Sequence, residues 1–128
     1  MKRIFVVVLI ALIISGPTWG QNAPPTVRYT CIFKVMASPD GLEDAKDFKL
    51  EFILETASGK GMIIGNQGFS KVYVINGPFA ITFIEPLKTG AAQTTTITRN
   101  RMAVHSRNTA MNETELIPSQ YYGSCTVK

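Results

Sequence analysis

Phe48 to Thr56 reads FKLEFILET, and the fold turns on how those nine residues are read. Side chains of a strand point alternately to opposite faces, so Phe48, Leu50, Phe52 and Leu54 share one side while Lys49, Glu51 and Glu55 share the other. A ribbon with one apolar and one charged face belongs to an antiparallel sheet with a core on one side and water on the other.

The same period of two recurs on both sides of this stretch. YTCIFKVM begins at Tyr29, and GMIIG (61–65), KVYVI (71–75) and FAITFIE (79–85) follow. QTTTITR (93–99), MAVHSR (102–107) and YYGSCTV (121–127) complete the series. The breaks carry turn residues: Ser58-Gly59-Lys60, Asn66-Gln67-Gly68, Asn76-Gly77-Pro78 and Lys88-Thr89-Gly90. Asn76-Gly77 is a hairpin signal, and Pro78, which has no N–H, predicts a loop longer than two residues. The pattern predicts an all-β antiparallel domain over 29–128 with about eight strands, closed as a small barrel or sandwich to hide its edges.

Two segments depart from this rhythm. Asp40 followed by Glu43 has the spacing of a helix capping box, which predicts a short helical turn near 41–46. Its acids lack the spacing of a calcium loop. NTAMNETELIPSQ (108–120) reads as a long loop returning to the last strand. Its Asn112-Glu113-Thr114 is formally a glycosylation sequon, without meaning in a bacterial host.

The start of the chain has a different character. Lys2 and Arg3 precede an apolar run from Ile4 to Ile14, and SGPTWG follows. This is the layout of a secretory signal peptide over 1–20, with a cut after Gly20 favoured over one after Ala23 and over an uncleaved anchor. The apolar run is shorter than the ~20 residues that span a membrane. QNAPPTVR (21–28) reads as a flexible lead-in. Without Lys2 and Arg3 the net charge falls from +4 to +2, so the basic balance carries no nucleic-acid or membrane footprint.

The two cysteines, Cys31 and Cys125, form an even pair in a chain read as exported, which predicts one disulfide rather than a metal site. The bond requires the first and last strands to approach within about 7 Å.

His105 is the one histidine, followed by Ser106 and Arg107. On a strand His105 and Ser106 point apart, so a serine–histidine dyad fails on geometry. A two-residue turn at Asn100-Arg101 sets Thr94, Thr96 and Thr98 across from Ala103, His105 and Arg107 on one polar face. That face is either a solvated threonine ladder or a recognition surface for an anion or acidic partner, with Arg99 and Arg101 at its turn. Of Tyr121 and Tyr122, one packs inward and one outward. GKGMIIGNQG lacks the order of a phosphate loop, and Glu51, Glu55 and Glu85 form no assignable acid/base couple. No cofactor, metal or catalytic residue is expected.

QTTTI, AVHSR and LIPSQYYGSC together resemble the C-terminal block of small secreted proteins of alphaproteobacterial type, a family with no established activity. The resemblance spans roughly Gly59 to Cys125 and is specific in the last thirty-five residues. It implies a bacterial, periplasmic or extracellular protein, and places His105, Arg107, Ser119, Gln120, Tyr121 and Tyr122 in the family's most recognisable block. A weaker likeness, in YTC (29–31) and ASG (57–59), is to periplasmic inhibitors of c-type lysozyme, small disulfide-bonded β-barrels. The tryptophan-containing strand and lysine–glycine pair of that family have no clear counterpart.

The expectation is therefore a non-enzymatic exported binding or interaction module. Its partner is an envelope protein or a small ligand, read by the polar face. A barrel interior holding a small apolar ligand, a lysozyme inhibitor and, last, a hydrolase are the alternatives.

Overall fold

Phe48, Leu50, Phe52 and Leu54 point to one side because that side is the inside of a barrel. The computed structural model describes Gly16 and residues 25–66 and 68–128; the expected leader, apart from Gly16, and the first part of the lead-in lie outside the described residues. Among the described residues eight strands follow one another: β1 (Thr26–Ser38), β2 (Gly41–Glu55), β3 (Gly61–Gly65), β4 (Gly68–Asn76), β5 (Ala80–Pro86), β6 (Ala92–Thr98), β7 (Met102–Ala110) and β8 (Leu116–Val127). Each pairs antiparallel with its neighbours, and β8 returns to β1, so the barrel is closed. Closure removes the free edges of the sheet.

The seam between β1 and β8 is fixed twice. Cys31 and Cys125 are direct cross-strand partners, their Cα atoms 4.0 Å apart, and they form the disulfide. One step along, Gly123 opposes Phe33. A Cβ at Gly123 would stand 2.0 Å from the Ile32 carbonyl oxygen, so only a residue without a side chain lets the two backbones approach this closely.

The interior is filled most densely around two stacked rings. Phe52 and Phe83 lie with centroids 4.5 Å apart and 16° between planes, and Tyr29 meets Phe83 edge-on at 5.7 Å. Leu54, Ile81 and Ile97 are buried with them. An eight-stranded barrel is just wide enough for its own side chains to fill it, and here they do over half its length. This filled half is the floor.

Three expectations are corrected. Residues 41–46 are not helical: β2 begins at Gly41 and pairs with β1 from Ser38↔Gly41 onward. The Asp44 carboxylate accepts a hydrogen bond from the Lys46 amide at 2.7 Å, and Lys46 and Asp47 adopt left-handed backbone at φ 54 and 53. The acidic segment thus makes a β-bulge, where the ladder shifts register between Phe33 and Val35. The 108–120 segment is mostly strand, because β7 and β8 pair as far as Ala110↔Leu116. Pro118 is tolerated there because β8 pairs with β1 only from Gln120 onward, leaving one side of the strand at Pro118 without a partner. The lead-in is also shorter than expected, since β1 starts at Thr26. The loop at Pro78 has three residues, Gly77 to Phe79.

Candidate binding site at the open end of the barrel

The turn between β6 and β7 decides which side chains enter the barrel. It has three residues, Arg99-Asn100-Arg101, closed by a hydrogen bond from the Arg101 amide to the Thr98 carbonyl at 2.8 Å. Arg101 supplies the left-handed residue, φ 72, that such a loop needs. The two-residue turn expected here would leave the pairing one residue out. The register is Ile97↔Ala103, Thr95↔His105 and Gln93↔Arg107. A slip of one residue sends every side chain to the other face.

The expected recognition face is therefore split between the two walls. Thr94, Thr96 and Thr98 lie outside, where the Thr96 hydroxyl hydrogen-bonds that of Thr82 at 2.8 Å. His105 lies inside with no exposure, and Arg107 lines the barrel's open end. Arg99 binds Asn76 Oδ1 at 2.8 Å and the Gly77 and Pro78 carbonyls, tying two loops together at the floor end. Arg101 is exposed, and its carbonyl accepts from the Cys125 amide. Of the tyrosines, Tyr121 packs inward on Phe48 at 4.9 Å. Tyr122 points outward and donates to Gln120 Oε1 at 2.7 Å. His105 and Ser106 do face opposite ways, with Ser106 on the outer wall receiving a hydrogen bond from Gln120 Nε2.

Inside, His105 is enclosed by Phe33, Phe48 and Tyr121, with ring centroids 5.7–6.0 Å from the imidazole. Its Nδ1 and the Thr95 hydroxyl form a 2.7 Å hydrogen bond, and Nε2 has no partner among the described residues. Burial, aided by the nearby Arg107 charge, lowers its pKa to about 4, so the imidazole is neutral at pH 7.

One layer above His105 the barrel opens. A cavity of about 460 Å³ occupies this end, within the usual range for small-ligand sites. Phe48 and Leu50 of β2 and Ile63 of β3 form its apolar wall, and Leu87 stands just past the end of β5. Ser70, Glu85, Gln93 and Arg107 form the polar one. Glu85 pairs with Gln93, and Gln93 with Arg107, so the three stand in a row on adjacent strands. The carboxylate and guanidinium begin from backbones two strand spacings apart, about 10 Å. They do not pair: the ion pairs among the described residues are Arg28–Glu51, Lys34–Asp47 and Lys49–Glu51.

Glu85 was open to discovery from FAITFIE, because it shares the parity of Ile81 and Phe83 and yet is charged. Gln93 shares the parity of the inward Ile97 and was open in the same way, whereas Arg107 was named as a candidate but set on the outer wall by the misjudged turn. Elsewhere, the outer surface of β4 carries an exposed apolar strip of Phe69, Tyr73 and Ile75, left uncovered by the described residues. Among those residues no group of histidine, cysteine and carboxylate side chains has metal-binding geometry. Comparison with family models, curated proteins and solved structures finds no match.

Proposed function

We propose that this protein is a non-enzymatic binding module of the bacterial envelope or exterior that takes a small ligand into the open end of its barrel. The observation that carries the reading is the cavity of about 460 Å³, walled on one side by apolar and on the other by polar side chains. Buried core residues occupy the floor half, and a chain selected only for stability gains nothing by lining the other end with charge. The Cys31–Cys125 bond and the leader-like Lys2–Gly20 segment support an exported location. Charged residues on the outer wall, such as Lys49, Glu51 and Lys71, favour a barrel in water over one facing lipid.

A neutral apolar dye, N-phenyl-1-naphthylamine, tests this reading. Its fluorescence is expected to rise on titration with the oxidised protein, and the rise to vanish in Ser70→Trp, which fills the cavity from a half-buried position. No rise with the folded wild type, or an undiminished one with Ser70→Trp, overturns the proposal.

A further inference from the structure

We infer that the ligand is a zwitterion with an apolar body, of the amino-acid or short-peptide kind; the inference rests on the open end of the barrel being a binding site. The cavity carries one guanidinium, Arg107, and one carboxylate, Glu85, with the Gln93 amide between them in register. Neither charge has an ion-pair partner among the described residues. Two opposite charges held apart in a half-enclosed site are each poorly compensated, and a molecule that bridges them satisfies both at once.

Glu85 and Arg107 do not pair with each other, so each keeps its charge free for a ligand: an ammonium donates to Glu85 and a carboxylate accepts from Arg107, each contact about 2.8 Å. Gln93 offers both a donor and an acceptor to the middle of the ligand's head. The body of the ligand then lies on Phe48, Leu50 and Ile63, across the cavity from the charges. A simple anion leaves Glu85 facing it with nothing to bind, and a simple cation does the same to Arg107. The mouth selects against both by like-charge repulsion and desolvation.

The test uses four probes with one aromatic body. L-phenylalanine and L-phenylalanyl-L-phenylalanine carry both charges, 3-phenylpropanoate lacks the ammonium, and phenethylamine lacks the carboxylate. Titration calorimetry on the oxidised protein is expected to show at least one zwitterion binding tenfold or more tightly than either singly charged probe. Glu85→Gln is expected to erase the advantage over 3-phenylpropanoate, and Arg107→Gln that over phenethylamine. Unchanged near-ultraviolet circular dichroism would show both variants folded. If 3-phenylpropanoate binds wild type as well as the zwitterions do, the site is an anion site and the inference is wrong. If none of the four binds while the neutral dye still enters, the charge pair is unused; the inference falls and the cavity reading survives. If the dye is refused as well, both fall together.

Discussion

The two ends of this barrel are built from the same strands and obey opposite rules. Along β5 the inward residues run Ile81, Phe83, Glu85; along β6, Ile97, Thr95, Gln93; along β7, Ala103, His105, Arg107. Each series starts apolar at the floor and ends polar at the mouth, and the three gradients point the same way. β1 and β2 depart from them, keeping Phe33 and Phe48 inward on the other side. The floor is therefore a packed core, and the mouth a two-sided chamber. Stability accounts for the floor, where close packing is what burial rewards. It does not account for Arg107 and Glu85, unpaired among the described residues, which cost solvation when half enclosed.

If stability resides in the floor, the largest losses belong to its seam. Gly123→Ala sets a Cβ against the Ile32 backbone, which has no flexible end to move aside. It is expected to cost more than about 5 kcal/mol, read as loss of the cooperative urea transition and of native near-ultraviolet dichroism. Replacing both cysteines by alanine opens a loop with a sequence separation of 94. The chain-entropy estimate for that loop is about 4–5 kcal/mol, checked as the shift in urea midpoint. Phe83→Ala empties a stacked position that is 1% exposed and should cost about 3–5 kcal/mol. A Phe83→Ala protein as stable as wild type would dissolve the contrast between the ends.

How much of this was written in the sequence differs between the ends as well. The floor was legible: parity placed Phe52 and Leu54 inward, on the same face as the Phe48 and Leu50 of the mouth, and the cysteine pair foretold which strands close the barrel. The mouth was legible only in part: Glu85 and Gln93 follow the parity of Phe83 and Ile97, but the wall that takes His105 and Arg107 depends on a turn whose chemistry is silent. Arg101 occupies a left-handed position usually taken by glycine or asparagine, so nothing marked the loop as three residues. A single-residue error there moved His105 and Arg107 to the wrong wall. The supposed helical turn failed for a related reason: Asp40 and Glu43 match a cap by spacing alone, while Asp44 and the left-handed Lys46 and Asp47 make a bulge.

His105 lies where floor meets mouth, and its environment predicts a distinctive acid response. The groups facing it are Thr95 on β6, Phe33 on β1, Phe48 on β2, Tyr121 on β8 and, on its own strand, Arg107. Its pKa falls from 6.5 to about 4 on folding, so between these values the unfolded chain holds a proton that the folded one refuses. Stability is unaffected above pH 6.5, declines as the pH drops towards 4, and has then lost about 3 kcal/mol from this group. Urea midpoints at pH 7 and pH 4.5 should diverge more in wild type than in His105→Phe. Carboxylate titration is common to both proteins and cancels in the difference. Equal divergence would mean that the imidazole reaches water.

The smallest effects are expected at the mouth, and their smallness is informative. Glu85→Gln and Arg107→Gln each remove a charge without removing volume from a core. Each is expected to change unfolding free energy by less than about 0.5 kcal/mol. Because the two groups begin about 10 Å apart and share no ion pair, the double variant should equal the sum of the singles within about 0.3–0.5 kcal/mol. Coupling larger than that, from a urea double-mutant cycle, would show that Glu85 and Arg107 already neutralise one another in the empty barrel. The mouth would then be a structural ion pair, and the opposition between the two ends would reduce to two ways of holding one fold together. Additive, near-zero values leave the charges without a structural role, which is what residues kept for something outside the chain should show.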